Sequence, residues 1–315
     1  MKPLLCTAFV VIAAAGAACT PTEGEEGGPC FPNDTCSAGL NCVSALCVEA
    51  DSGETEGEGE GEGEGEADCE TRAADVRVTS AADVESLRNV CTVGGTLFVQ
   101  GTDLVAFSLP RLVTADGIDI FENPALTTLS FPALEHVGTD FSVLDNAALV
   151  SLSAPLLESV ADGGRSQGIF LVGRNRQMTS LTLPRLTTVG ANLGGAEFGY
   201  LEVFNTAITS MQLPQLDTVF EDLSFHDNPN LTVLEVPALV RVRESFKFVR
   251  CDALQTVSAP QLVSAGEVNI RENATLATLS LPALTSLESG AIIVDNPSLS
   301  TCVGVLVADV GDCVQ

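Results

Sequence analysis

Residues 123–138 read Asn123-Pro-Ala-Leu-Thr-Thr-Leu-Ser-Phe-Pro-Ala-Leu-Glu-His-Val-Gly138, and residues 273–287 read Asn273-Ala-Thr-Leu-Ala-Thr-Leu-Ser-Leu-Pro-Ala-Leu-Thr-Ser-Leu287. In both stretches a Pro follows the Asn by nine residues, and apolar residues stand at +3, +6, +8, +11 and +14. Self-similarity of this kind is typical of stacked repeats, in which one unit cannot bury its apolar residues alone. The two stretches therefore predict a solenoid.

The same spacing of Asn and Pro recurs along the chain before, between and after these two stretches. Its prolines are spaced by 22 to 30 residues and are Pro110, Pro132, Pro155, Pro184, Pro214, Pro237, Pro260 and Pro282. Nine residues before each stands an Asn or a substitute, and one more Asn continues the series: Gly101, Asn123, Asn146, Asn175, Asn205, Asn228, Cys251, Asn273 and Asn296. We expect residues 91 to about 302 to form a mostly β, right-handed β-solenoid of about nine coils of 22–30 residues.

The repeated Asn has a structural interpretation. Short alternating strands such as Ile118-Asp119-Ile120 precede it, and alternation places two side chains inward and one outward. An Asn at the following turn tolerates left-handed geometry and hydrogen-bonds backbone groups that would otherwise lack partners. Stacked coils then form an Asn ladder, in which we interpret Cys251 as a small buried replacement and not as a nucleophile.

The repeats resemble the receptor L-domain family, which includes the L domains of the insulin and epidermal growth factor receptors and yeast cell-wall relatives. The resemblance covers about 210 residues and implies a leucine-rich-repeat-like solenoid that binds ligands. It also implies disulfide-capped ends, which here would be Cys69–Cys91 and Cys302–Cys313. A helical turn at the amino-terminal cap fits the stretch from Ser80 to Val90, which begins with an N-cap Ser.

The first 18 residues are typical of a signal peptide. Lys2 is followed by an apolar run and by Gly16-Ala-Ala before Cys19, as in a bacterial lipobox, although Gly16 stands where Leu is usual. We expect Cys19 to carry lipid, which would make the protein an outer-membrane lipoprotein, exposed at the periplasm or cell surface of a Gram-negative bacterium. The alternative is ordinary signal-peptidase cleavage that leaves Cys19 without lipid.

Two segments separate Cys19 from the solenoid at 69–315. Residues 19–48 contain Cys30, Cys36, Cys42 and Cys47. This segment is too short to bury a hydrophobic core, so we expect two disulfides to hold it together, with a connectivity that the sequence does not assign. A zinc site is the rival interpretation, disfavoured by the absence of CxxC spacing and of His in this segment. Residues 49–68 are rich in Gly and Glu and predict a disordered acidic tether.

The composition excludes one class of partner. The formal net charge is −28, with 42 Asp and Glu against 14 Lys and Arg. Such a chain repels phosphates, so no nucleic-acid binding is expected. The sequence contains no phosphate-binding loop and no metal-ligand spacing, and no cofactor or metal is expected.

Two coils are longer than the others, and their insertions suggest a binding edge. The extra residues lie within 161–168 and 190–200 and include Arg165, Phe198 and Tyr200. Insertions in solenoids often line a binding face, although surface loops also drift at little cost. A second candidate is an outward row on the strands, which includes Phe121, Leu144 and Leu171 and could also pack beneath a loop.

These features favour binding over catalysis. We expect a cell-surface adhesion or recognition protein whose partner is a protein or a glycan, with an undetermined oligomeric state. The alternatives are a structural envelope protein without a specific ligand and a β-helix polysaccharide lyase or hydrolase. The enzyme is disfavoured because the acidic residues are scattered singly at turns and only two His are present.

Overall fold

The computed structural model describes Ser37 and residues 40–43, 46–49, 69–161, 168–193 and 196–304. The chain divides into two units, Met1–Gly63 and Glu64–Gln315. In the first unit, strands β1 (Leu40–Val43) and β2 (Leu46–Glu49) pair antiparallel, with Cys42 opposite Cys47.

The second unit is a parallel β-solenoid with very little helix. Its helix is α1 (Ala81–Ser86). Its strands, in chain order, are β3 (Glu70–Arg72), β4 (Val76–Val78), β5 (Val90–Gln100), β6 (Ala106–Ser108), β7 (Thr114–Phe121), β8 (Thr128–Ser130), β9 (His136–Val137), β10 (Phe141–Leu144), β11 (Ser151–Ser153), β12 (Ser159–Val160), β13 (Phe170–Gly173), β14 (Ser180–Thr182), β15 (Thr188–Val189), β16 (Ala191–Leu193), β17 (Ala196–Phe198), β18 (Leu201–Phe204), β19 (Ser210–Gln212), β20 (Thr218–Val219), β21 (Leu223–His226), β22 (Val233–Glu235), β23 (Arg241–Val249), β24 (Thr256–Ser258), β25 (Ser264–Arg271), β26 (Thr278–Ser280), β27 (Ser286–Val294) and β28 (Thr301–Val303).

Each coil has three faces, named in chain order. The first face is the strand before the turn that carries the repeated Asn, as in β10. The second face is the short strand before the Pro, as in β11, and the third face is the two-residue strand after the Pro, as in β12. Equivalent strands of successive coils pair in parallel and in register. In five coils the third face and the next first face are one strand, namely β5, β7, β23, β25 and β27.

The stack has about ten turns between residues 70 and 303, which confirms the predicted solenoid and adds one turn to it. The additional turn contains β3 and β4, which pair in parallel with β5. It was missed in the sequence because it lacks the Asn and Pro of the other coils, although Val76 and Val78 alternate as in a first-face strand.

The interior is a column of aliphatic and Phe side chains. Both inward positions of the first face are buried throughout the central coils, for example Phe141 with Val143 and Phe246 with Phe248. Fully burying one such side chain contributes about 1.5–3 kcal/mol before entropy is subtracted. Stacked rings such as Phe141 and Phe170, 5.1 Å apart, continue the packing from coil to coil. The core therefore fixes the register of all three faces.

The amino-terminal end is closed as predicted. Ser80 caps α1 in a capping box with Asp83, and Cys69 forms a disulfide with Cys91. The second face is divided, because β6, β8, β11 and β14 form one sheet and β19, β22, β24, β26 and β28 form another. The division falls between β14 and β19, and the chain between these two strands contains the insertion at 190–200.

Candidate functional site

The first face presents two columns of outward side chains, because its parallel strands pair in register. One column, here called the inner column, contains Arg77, Phe98, Asp119, Ser142, Leu171, Glu202, Ser224, Lys247, Asn269 and Ile292. The other, the outer column, contains Gln100, Phe121, Leu144, Gly173, Phe204, His226, Val249, Arg271 and Val294. The candidates Phe121, Leu144 and Leu171 are thus neighbours on one surface.

The exposure of these columns is partial. Phe121, Leu144 and Leu171 are each half-buried, and so is Phe204. Alternation along its strand predicts that Val249 points outward as well, but Val249 is only 6% exposed. Partly exposed apolar side chains of the two columns therefore lie in the coils between Phe98 and Phe204 and, at the far end of the face, at Ile292, which is 37% exposed.

An open depression of about 350 Å³ lies beside the inner column at these coils. Its wall combines apolar side chains with hydroxyl and carboxyl groups, and its lining residues are Thr96, Phe98, Gly117, Ile118, Asp119, Thr139, Asp140, Ser142, Ile169 and Leu171. Concave surfaces that combine apolar side chains with convergent polar groups are candidate binding sites.

Two carboxyl groups stand close together in this depression. Burial raises the pKa of Asp119, and the nearby negative charge of Asp140 raises it further. Asp140 also has a structural role, because its Oδ1 accepts a hydrogen bond from the Ile169 amide at 3.1 Å. No salt bridge joins either carboxylate to a cation among the described residues.

Both insertions leave the stack at the corner between the third and first faces. Residues 162–167, with Arg165, lie outside the described residues, but the flanking Gly168 packs so closely on Gly190 that a side chain at Gly168 would meet its backbone. A side chain at Gly190 would in turn meet the backbone of Phe198 and Gly199. The two insertions therefore start from adjacent points on one edge.

The second insertion forms a hairpin, in which β16 and β17 pair antiparallel. Phe198 and Tyr200 at its end are partly exposed. Burial raises the pKa of Tyr200, and four carboxylates raise it further, namely Glu202, Asp140, Glu221 and Asp222. Tyr200 therefore lies in a region that contains four carboxylates.

A charged network borders this region. Both ring nitrogens of His226 face carboxylates, with Nδ1 2.8 Å from Asp227 and Nε2 3.0 Å from Glu202. Arg250 donates two hydrogen bonds to the carboxylate of Asp227, from Nε at 2.6 Å and from Nη2 at 2.9 Å. These hydrogen bonds are the main reason that the pKa of Asp227 is lowered to about 2. Hydrogen bonding to Glu202 raises the pKa of His226, against the opposing effect of burial. Sequence reasoning missed this network, because its members come from different coils.

The predicted Asn ladder residues lie at the turn after the first face, and the structure differs from the prediction at one coil. Six of them are buried in one column: Asn123, Asn146, Asn175, Asn228, Asn273 and Asn296. Asn273, for example, donates from Nδ2 to the Phe248 carbonyl and accepts from the Cys251 amide at Oδ1. Each Asn therefore ties its own turn to the preceding coil.

Asn205 is not in this column. It has φ +51°, the left-handed position occupied one residue before the column in other coils, as by Asp227 at φ +55°. Thr206 takes the buried position and donates to Asn228 Oδ1 through both its amide and its hydroxyl. The alignment by Pro spacing was wrong by one residue here, and the same shift places Thr102, not Gly101, in the column.

The cysteines have several outcomes. Cys251 is fully buried in the column, its thiol is free, and burial raises its pKa to about 12. Cys302 is disulfide-bonded, and its predicted partner Cys313 lies outside the described residues. Cys19, Cys30 and Cys36 also lie outside the described residues. Cys42 and Cys47 are opposite each other in the backbone register of β1 and β2.

Other site types find no support in the described parts of the chain. These residues include no group of three or more His, Cys, Asp or Glu placed to hold a metal ion. Within the same ranges, no helix combines the length and apolar character that a membrane span requires. Comparisons with protein-family models, with curated proteins and with solved structures found no match.

Proposed function

We propose that this chain is a cell-surface recognition protein whose first face binds a macromolecular ligand. One observation carries the proposal. Half-buried Phe121, Leu144 and Leu171 are neighbours on the first face, and Leu171 lines the 350 Å³ depression at the edge from which both insertions leave. Contiguous exposed apolar side chains with a polar rim are characteristic of interaction sites.

The fold supports binding because it holds this surface rigidly. Strands β7, β10, β13 and β18 are each hydrogen-bonded on both sides, and their inward side chains are locked in the core. A pre-organised surface loses little conformational entropy when a ligand binds. Such a platform suits recognition, and it needs no cofactor.

The cellular setting belongs to the same proposal. A lipid on Cys19 would hold the protein at the outer membrane, and the Gly- and Glu-rich residues 49–68 would space the solenoid from that surface. A flexible segment of about 20 residues spans roughly 25 Å, and repulsion among its Glu residues extends it. The resemblance of the repeats to receptor L-domains agrees with ligand binding by a solenoid.

The test compares two pairs of substitutions in the full chain. Phe121→Ser with Leu144→Ser removes apolar contact from the first face, and Val150→Ser with Val240→Ser removes it from exposed positions outside the two outward columns, where the valines are 41% and 37% exposed. Immobilised protein is exposed to envelope extract and to a polysaccharide panel, and retained components are quantified. We expect the first pair to reduce retention about tenfold or more and the second pair to leave it unchanged.

A second arm tests the insertions and the rival functions. Deleting 162–167 together with 192–197 should abolish the same capture while the unfolding temperature changes little, because surface loops contribute little to the core. Capture that survives both the deletion and the first-face pair would overturn the proposal, because another surface would then bind the ligand. Absence of any capture by the unaltered chain would favour a structural envelope protein. Cleavage of pectin, alginate or β-glucan would favour the polysaccharide enzyme.

A further inference from the structure

The chain enters the solenoid through a mostly exposed segment. The boundary between the two units lies just ahead of Glu64, and residues 70–89, here called the cap, contain β3, β4 and α1. Within the cap only Val78 and Leu87 are buried. In the described part of the chain, β3 and β4 have no strand partner other than β5. The cap is therefore attached to the stack mainly through one strand.

Strand β5 is held more firmly than the cap. Its residues Val93, Leu97 and Val99 are at most 1% exposed, so they lie in the interior of the stack. On the side away from the cap, β5 pairs in parallel with β7 from Thr92 to Gln100. Detaching β5 therefore exposes core side chains to water, whereas detaching β3 does not, because all three residues of β3 are already exposed.

The disulfide between Cys69 and Cys91 joins these two parts across the cap. Cys69 directly precedes the cap and Cys91 is the second residue of β5, with 5.5 Å between their Cα atoms. The 22 residues that separate them in sequence would reach about 73–79 Å if the chain were extended. The cap cannot become taut while the disulfide holds its two ends so close. Tension on the chain ahead of Cys69 therefore reaches β5 through the sulfur atoms.

Without the disulfide, the same tension would act on β3 first. Terminal elements with few buried contacts open before the core of a structure does. β3 would detach, followed by β4 and α1, before any load reached the buried residues of β5. The order in which the amino-terminal end opens under tension thus depends on one covalent bond.

We propose that the Cys69–Cys91 disulfide is a load bypass, which passes tension on the preceding chain directly to β5 and leaves the cap unloaded. The cap and β5 then detach as one unit, because β3 and β4 stay paired with β5 while the tension acts on Cys91. The inference rests on the proposed function only for the source of the tension, which arises when Cys19 is anchored and the first face holds a ligand.

The alternative is a cap that itself holds β5 on the stack, through the buried side chains of Val78 and Leu87. A weaker cap would then lower the force of the first rupture even with the disulfide intact. In a load bypass the cap leaves together with β5, so the strength of the cap does not affect the first rupture.

The experiment stretches the full chain in optical tweezers between handles at its two ends, without reductant. Cys69→Ser with Cys91→Ser removes the disulfide. We expect this variant to show one additional rupture, at a lower force than the first rupture of the unaltered chain. That rupture should release roughly 70 Å, which is the extended length between the two positions less the 5.5 Å already spanned, and should lengthen the fully unfolded chain by the same amount.

A second arm weakens the cap without touching the disulfide. Asp83→Ala removes the capping box of α1, in which the Asp83 carboxylate accepts hydrogen bonds from the amides of Thr79 and Ser80. Asp252→Ala removes the same charge from an exposed position in a distant coil and is the matched control. We expect both variants to keep the first rupture force of the unaltered chain. Combined with the two Cys substitutions, Asp83→Ala should lower the force of the additional rupture, and Asp252→Ala should not.

A lower first rupture force in Asp83→Ala with the disulfide intact would overturn the inference. The absence of an additional rupture in a Cys69 and Cys91 variant whose cap is folded at zero force would do the same. If the cap of that variant is already open, which is seen as roughly 70 Å added to the starting length, the Asp83→Ala arm decides alone. No ligand takes part in these measurements, so envelope capture that does not depend on Phe121 and Leu144 would remove the proposed function and leave the load bypass standing.

Discussion

The imidazole of His226 stacks on the ring of Phe204, with the centroids 5.0 Å apart and the planes 13° from parallel. This contact holds the imidazole at a place on the first face where both ring nitrogens meet carboxylates. An imidazole can donate from both nitrogens only when it is protonated. The arrangement therefore stabilises the charged form of His226.

The first prediction concerns pH. The folded-state pKa of His226 is raised above its ordinary 6.5, mainly by the hydrogen bond to Glu202. Its contribution is therefore fully present below about pH 6.5 and is lost as the pH rises through the raised value. We expect His226→Gln to lower the unfolding temperature by about 2–4 °C near pH 6 and by less near pH 9.

The control for that measurement is His136→Gln, which removes the other His of the chain. His136 bonds Ser159 Oγ through Nδ1 at 2.8 Å and lies on the third face, away from Glu202 and Asp227 of the first-face network. The assignment would be contradicted if the loss of unfolding temperature caused by His226→Gln grew toward alkaline pH. It would also be contradicted if His136→Gln gave the same pH dependence.

The second prediction concerns the buried column. Asn228→Ala removes the acceptor of the Thr206 amide and hydroxyl and the donor to the Val203 carbonyl. Because these groups would stay buried without partners, we expect a loss of about 2–4 kcal/mol in the free energy of unfolding. Asn205→Gly should cost less than about 0.5 kcal/mol, because glycine adopts the φ of +51° found there without strain. Denaturant titration measures both, and equal losses would place Asn205 in the column after all.

The third prediction tests a contact between coils. Gly173 lies beneath the ring of Phe204, so that a Cβ at Gly173 would overlap it. We expect Gly173→Val to destabilise the protein by about 1–3 kcal/mol through overpacking. Phe204→Ala in the same chain should relieve that penalty, giving a favourable coupling energy in a double-mutant cycle. Strictly additive losses would show that Phe204 does not cover Gly173.

The fourth prediction concerns Cys251. Burial raises the pKa of its thiol to about 12, so that it is almost entirely protonated at pH 8. We expect no alkylation of Cys251 by iodoacetamide at pH 8 in the folded protein and rapid alkylation after unfolding in guanidinium chloride, as measured by peptide mass spectrometry. Rapid labelling in the folded state would show that the column opens at this coil.

The repeat could be predicted from the sequence because each coil uses the same apolar spacing and the same punctuation. Asn228, Leu231, Leu234 and Pro237 locate one coil without any knowledge of its neighbours. The amino-terminal turn escaped this reasoning, since Val76 and Val78 carry the alternation without the Asn or the Pro. The sequence also did not show that Thr206, and not Asn205, occupies the buried column. Asn is a suitable residue both at the left-handed position and at the column position, so the Asn alone does not tell the two positions apart.

The candidate site was predictable only in part. Outward positions such as Phe121 and Leu144 follow from alternation along one strand, and the sequence placed them correctly on one surface. It did not show that Val249 is buried, nor that Asp119 and Asp140 share a depression. These facts depend on which side chains of different coils meet.

By itself, the sequence determined the stacked β-architecture, the inward residues and the edge from which the insertions leave, because periodicity and turn chemistry act within one coil. Only the tertiary structure decided which coils bring charges together, as for Glu202, His226 and Asp227. Those relationships join residues about 23 positions apart through parallel register, and register between coils is set by packing of the whole stack.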